Sequence, residues 1–172
     1  TRQVGTDLWI EKKVAGGAAD PKEHFTFVLT KTSLAGTSYS VSYEGIAEND
    51  GAGHQETLTF DGNGVARLSL KNGEKARILQ MPSGDVQIKE ENGDYVTKVT
   101  VNGISEKYSD ASGIKIQLSS EKTELVFTNQ LDAQPPTGAE LLSVPYWLMG
   151  GTALAGLLGS RITGRRRKDR KK

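Results

Sequence analysis

Few residues of this 172-residue chain are grouped in the way a catalyst needs. The histidines are His24 and His54 and cysteine is absent, so neither a zinc pattern nor a disulfide can be built. Two oxygen-rich stretches, Glu48-Asn49-Asp50-Gly51 and Asp61-Gly62-Asn63-Gly64, lack the spacing of a calcium loop and read as solvated turns. No phosphate-cradling glycine loop precedes a helix, and no Ser/His/Asp grouping emerges. A protein that turns over no substrate and carries no metal or other cofactor is expected. The constellation with a fixed order lies near the C-terminus. Gln134, Pro135, Pro136, Thr137 and Gly138 precede an apolar stretch of about 20 residues, the length that crosses a bilayer. A tail with eight Lys/Arg between 161 and 172 follows it. By themselves, such a span and tail form the pattern of a membrane anchor whose positive end stays in the cytosol.

The remaining chain must position any further chemistry, and its pattern is β. Short runs rich in Thr, Val, Tyr and Phe alternate with glycine turns, which predicts an all-β sandwich. Strands are expected over 7–14, 24–32, 38–43, 56–60, 64–70, 75–80, 85–91, 95–101, 114–118 and 124–129. Asp61-Gly62, Asn72-Gly73, Ser83-Gly84, Asn92-Gly93 and Asn102-Gly103 mark turns, because glycine and asparagine accept the positive φ of tight hairpins. No helical period appears before Leu141. The expected layout is one folded domain over 1–131, a linker and motif over 132–138, a transmembrane helix over 139–162 and a basic cytoplasmic tail over 163–172. The net charge of +1 conceals an asymmetry, since outside 161–172 only 14 basic residues face 20 acidic ones. An acidic body without a basic stripe argues against nucleic-acid binding, which needs clustered Lys/Arg.

The pentapeptide outside the apolar span resembles the Leu-Pro-any-Thr-Gly motif of sortase substrates. Pro135, Thr137 and Gly138 match it, and Gln134 stands where the general motif has leucine. The resemblance implies a Gram-positive cell-wall sorting signal: a stop in the membrane holds the motif at the outer face, where a sortase works, and proline keeps it extended. In that family a sortase cysteine attacks the threonine carbonyl. Cleavage here would fall between Thr137 and Gly138, leaving Thr137 as an acyl-enzyme for transfer to an amine. Motifs with other first residues occur among pilins handled by pilus-type sortases, the class to which Gln134 points.

The body resembles the streptococcal pilin isopeptide-linkage domains, within the wider group of immunoglobulin-like and collagen-adhesin B-type modules. Three stretches carry the likeness. Leu8-Trp9-Ile10-Glu11-Lys12-Lys13-Val14, then His24-Phe25-Thr26-Phe27-Val28-Leu29, is similar to their opening pair of strands. Leu70-Lys71-Asn72-Gly73-Glu74 through Met81-Pro82-Ser83-Gly84-Asp85-Val86-Gln87-Ile88-Lys89-Glu90 is similar to their central signature, and Leu125-Val126-Phe127-Thr128-Asn129 to their closing strand. In this family a strand lysine, a glutamate and the final asparagine form an internal Lys–Asn isopeptide bond. The resemblance assigns those parts to Lys12, Glu90 and Asn129, the lysine and asparagine as partners and the glutamate as the group that assists. Strand parity offers an independent test, because alternate side chains share a face. Lys12 is in phase with Leu8, Ile10 and Val14, Glu90 with Val86 and Ile88, and Asn129 with Leu125 and Phe127. A one-residue register shift would instead turn Lys13 and Glu91 inward.

The resemblances together imply a structural surface protein of a Gram-positive bacterium, a pilin or pilus-associated subunit anchored to the cell wall through Thr137. Its partners would be a sortase, then peptidoglycan or another pilin, with the membrane holding the precursor. A stalk domain of a wall-anchored adhesin or of a surface enzyme is the alternative. With no signal peptide before Thr1, an export signal is expected upstream in a longer precursor.

Overall fold

The computed structural model describes residues 5–45 and 55–133. The Gln134 to Gly138 motif, the apolar span and the basic tail lie outside the described residues, as do His54 and the Glu48 to Gly51 stretch. Eleven strands occur among the described residues: β1 (Thr6–Ala15), β2 (Phe25–Thr30), β3 (Ser38–Glu44), β4 (Thr57–Thr59), β5 (Val65–Leu70), β6 (Lys75–Met81), β7 (Gly84–Glu91), β8 (Val96–Val101), β9 (Ile104–Glu106), β10 (Ile114–Leu118) and β11 (Thr123–Gln130). Each of the ten expected strands is present, nine with shifted ends and the one over 114–118 with the ends expected. The stretch expected to run to Thr32 stops at Thr30, and Thr32–Leu34 forms a short 3-10 turn. The unexpected strand is β9, whose three residues are all exposed and so carry no alternation. It pairs with β8 across Asn102-Gly103, both at positive φ, so the turn residues marked a hairpin whose second arm had no hydrophobic signal.

The strands form two sheets, one of seven in the order β4-β3-β6-β1-β11-β8-β9 and one of four in the order β10-β7-β2-β5. The first and last strands pair in parallel at the centre of the larger sheet, with Lys12 opposite Phe127 and Val14 opposite Asn129. The other strand pairs are antiparallel. Period-2 patterning turns one face of each sheet inward. Leu8 and Ile10 from β1, Phe27 and Leu29 from β2, and Leu125 and Phe127 from β11 are all fully buried. Each such side chain contributes roughly 1.5–3 kcal/mol on leaving water. Phe27 and Phe127 meet edge to face across the sheets, with ring centres 5.0 Å apart.

The turn expected at Asp61-Gly62 is built differently from the reading above. Gly64, not Gly62, takes the positive φ, and Asp61 Oδ1 accepts the amides of Asn63 and Val65. An Asx turn thus uses the oxygen that a calcium loop would have needed.

Candidate functional site

Lys12, Glu90 and Asn129 come from three strands of two sheets and meet in the core, each at most 1% exposed. Lys12 arrives on β1, where Leu8, Ile10 and Lys12 all face inward. Near Lys12 the strand leaves its partner β6: the Lys12 amide donates to Glu74 O at 2.9 Å and Gly73 donates to Lys12 O at 2.8 Å. The Asn72-Gly73 turn therefore fixes the backbone from which the lysine projects. Asn129 lies one inward position beyond Phe127 on β11, diagonal to Lys12 in the parallel register. Diagonal neighbours on one face are within reach of a long side chain. Glu90 enters from the opposite sheet, beside Phe27 in the β2–β7 pairing. The alternatives Lys13 and Glu91 both face solvent.

One carboxylate oxygen joins the three residues. Glu90 Oε1 lies 2.8 Å from Lys12 Nζ and accepts from Asn129 Nδ2 at 2.9 Å. The lysine contact is close but poorly aimed, since Nζ has no partner at hydrogen-bonding angles, and Glu90 Oε2 also has none. Aromatic rings form the surrounding wall. Nζ sits 4.2 Å from the centre of Phe25, Tyr95 packs edge-on against Phe25, and Tyr108 packs edge-on against Phe127. Tyr108 Oη also accepts from the Glu90 amide at 2.9 Å.

Removal from water dominates the electrostatics. Burial pushes the Lys12 amine down to about 8, outweighing the attraction of Glu90, and burial pushes the Glu90 carboxyl up against the pull of Lys12 and Asn129. Both shifts favour the uncharged forms, a free amine beside a carboxylic acid. The arrangement can therefore present a nucleophile, an acid that can shuttle a proton, and an amide carbonyl in one water-poor cavity.

Sequence reasoning missed the residues behind Asn129. Thr97, directly opposite Asn129 on β8, donates its hydroxyl to Asn129 Oδ1 at 2.9 Å. Asn92 donates to Thr97 Oγ1 and to Asp110 Oδ1. Thr97 did carry a signal, being in phase with Val99 and Val101. Asn92 reads in sequence only as half of an Asn-Gly turn, although it is 8% exposed.

Comparison with known proteins finds similarity to two streptococcal pilus proteins. It is 28% identical over 162 residues to a pilin of Streptococcus pyogenes serotype M1, covering 89% of this chain and 47% of that protein. It is 33% identical over 131 residues to the Streptococcus pyogenes pilus tip adhesin Cpa, covering 76% of this chain and 18% of the adhesin. The chain thus spans about half, and about a fifth, of these relatives. The crystal structure of the major pilin from Streptococcus pyogenes superposes with a TM-score of 0.61 at 23% identity, over 76% of this chain and 49% of the other, which establishes a shared fold. Residues 6–131 match one family model, and the chain accordingly belongs to the family described as Domain of unknown function (DUF7601).

Proposed function

We propose that this chain is a structural cell-surface protein, a pilin or pilus-associated subunit, whose body is locked by an amide between Lys12 and Asn129. The observation that carries this reading is a buried amine and a buried side-chain amide sharing one glutamate oxygen in an otherwise apolar core. An ion pair there is a poor final state, because the ammonium leaves donors unused and the carboxylate leaves Oε2 unpaired. Condensation removes the problem. The lone pair of Nζ attacks Asn129 Cγ and the carbonyl electrons move onto Oδ1. Glu90 takes a proton from Nζ and supplies one to Nδ2. The Cγ–Nδ2 bond then breaks, and ammonia leaves as the carbonyl re-forms. Proximity replaces an external enzyme, so the domain is its own single-use catalyst.

The linkage would tie the first strand to the last, a stabilisation that this cysteine-free chain cannot obtain from disulfides. Beyond β11, Thr137 is the residue that a sortase would join to an amine of peptidoglycan or of another pilin. Tension on that anchor would enter at β11 and pass to β1 through a covalent bond instead of a hydrogen-bonded ladder. Similarity to a pilin and to a pilus tip adhesin supports this surface role. The adhesin match also supports a second reading, in which the domain is the stalk of a wall-anchored adhesin. In a longer precursor, a polymerising pilin domain or a binding module ahead of Thr1 would separate the two.

Mass spectrometry of the intact chain tests the bond. The expected mass is that of the sequence less one ammonia, with the full sequence mass returning in Glu90→Ala and Lys12→Ala. A wild-type chain at full sequence mass would overturn the proposal. For anchoring, Thr137→Ala is expected to abolish wall attachment in the producing cell, and unchanged attachment would reject the sorting signal.

A further inference from the structure

Two acceptors on the far side of Asn129 set the direction of a whole chain of hydrogen bonds. The Asn92 side-chain nitrogen faces Tyr95 O at 3.3 Å and Asp110 Oδ1 at 2.9 Å. A backbone carbonyl and a carboxylate can only accept, so the group between them must be the NH2 and not the carbonyl oxygen. Of its two hydrogens one goes to Asp110 Oδ1 and one to Thr97 Oγ1 at 2.5 Å, the longer contact to Tyr95 O being shared, so a lone pair of Thr97 is occupied. The hydroxyl proton of Thr97 is thereby left for Asn129 Oδ1, 2.9 Å away. Asn129 then has its carbonyl oxygen toward Thr97 and its Nδ2 toward Glu90 Oε1.

We propose that Thr97 is a catalytic residue of amide formation, its hydroxyl being the oxyanion donor for the Asn129 carbonyl, and that Asn92, held by Asp110, is the residue that positions it. This deepens the reading of Lys12 and Asn129 as crosslink partners and rests on it. When Nζ adds to Cγ, the carbonyl electron pair moves to Oδ1 and negative charge grows there. The Thr97 hydroxyl already points at that oxygen and needs no reorganisation, the condition under which an oxyanion donor acts most strongly. The same orientation puts the leaving nitrogen against Glu90, the group that supplies its proton. An Asn129 side chain turned the other way would direct the acid at the oxygen and leave the departing nitrogen beside a hydroxyl already committed as a donor. Thr97 thus sets both the charge stabilisation and the direction of departure. Its own proton stays on Oγ1 throughout.

The test follows bond formation in the full chain, pulse-synthesised in a cell-free system and quenched at intervals in denaturant. Proteolysis then yields the branched peptide containing Lys12 and Asn129, quantified by mass against the two linear peptides. Thr97→Val keeps the shape and removes the hydroxyl, and is expected to slow formation by about 100-fold or more, the usual cost of losing one oxyanion donor. Thr97→Ser restores the hydroxyl and is expected to react within a few-fold of wild type. Asn92→Leu is expected to slow the reaction because the NH2 that occupies the Thr97 lone pair, and so leaves its proton for Asn129, is gone. Combined with Thr97→Val it is expected to add nothing further, since it acts only through that proton, whereas mere loss of packing would add. Thr97→Val reacting at the wild-type rate, while wild type loses ammonia, would overturn the role of Thr97 and leave the crosslink standing. A wild-type chain that never yields the branched peptide would overturn both.

Discussion

Two lysines are buried in this domain, and they face different surroundings. Lys12 is completely enclosed, lies against a phenylalanine ring, and contacts a carboxylate oxygen without hydrogen-bonding angles. Lys31, 8% exposed, donates to the backbone carbonyls of Ser83 at 3.2 Å and Asp85 at 3.1 Å. The second arrangement is a clamp: a cation whose hydrogens satisfy two carbonyls where β7 begins. The first, on the function proposed above, is a reaction waiting for a product, since its amine is unsatisfied and it shares a glutamate oxygen with the Asn129 amide. Burial alone therefore does not mark a functional lysine. What marks it is burial without a complete set of partners, next to a group with which it can react.

The largest expected effect separates the two lysines by covalent chemistry. Asn129→Ala should leave the Lys12 amine free and remove the proposed link, which would close more than 100 residues. By the loop-entropy estimate for a crosslink closing about 100 residues, that link is worth about 5 kcal/mol. Scanning calorimetry should show the melting point falling by on the order of 20 °C, with the ammonia loss gone. An Asn129→Ala chain melting with wild type would mean that the two lysines differ only in packing.

A pH titration sharpens the same contrast. In Asn129→Ala the amine stays free, and the burial that holds Lys12 down to about 8 against the pull of Glu90 should keep it low in the folded state, while an unfolded lysine stays protonated to about 10.5. Between those values the unfolded chain binds more protons than the folded one, so folding stability must rise with pH across that window. At 1.36 kcal/mol per pKa unit the gain is on the order of 3 kcal/mol. Wild type, with its amine converted to an amide, should lack this gain. Denaturant melts at pH 7.5 and 10.5 measure it, and because the tyrosines are common to both chains, the difference between chains reports Lys12 together with Glu90, the carboxyl coupled to it. Equal pH dependence in the two chains would show that wild type keeps a free amine.

Both lysines carried a signal in the sequence, but only one was read. Lys31 is in phase with Phe25, Phe27 and Leu29, as Lys12 is with Leu8 and Ile10. The resemblance to a pilin domain drew attention to Lys12 and none to Lys31. Parity was legible because each strand is half-buried, so the inward places of Glu90 and Asn129 followed from their neighbours alone. The pairing of the first strand with the last was not legible. Nothing local in Thr6–Ala15 or Thr123–Gln130 states that they run in parallel side by side, and only that pairing makes Lys12 and Asn129 diagonal neighbours. The Thr97 to Asp110 relay was hidden for the same reason. Asp110 is an exposed loop residue, given a role only by the tertiary position of Asn92.

The smaller effects concern Asp85, which meets one lysine at its backbone and another at its side chain. Lys31→Met keeps most of the apolar stem and removes the head group, giving up its hydrogen bonds to the Ser83 and Asp85 carbonyls. Both acceptors belong to exposed residues that water can reach, so a loss of about 0.5–1.5 kcal/mol is expected, with ammonia loss unaffected. Lys115 reaches the Asp85 carboxylate at 2.9 Å, but the two side chains are 70% and 54% exposed. Water and salt screen such a pair, so Lys115→Ala should cost less than about 0.5 kcal/mol and vanish in high salt. Urea melts of both variants decide the matter. A Lys115→Ala cost equal to that of Lys31→Met would mean that the number of contacts, and not the solvation of the groups making them, sets what a lysine contributes here.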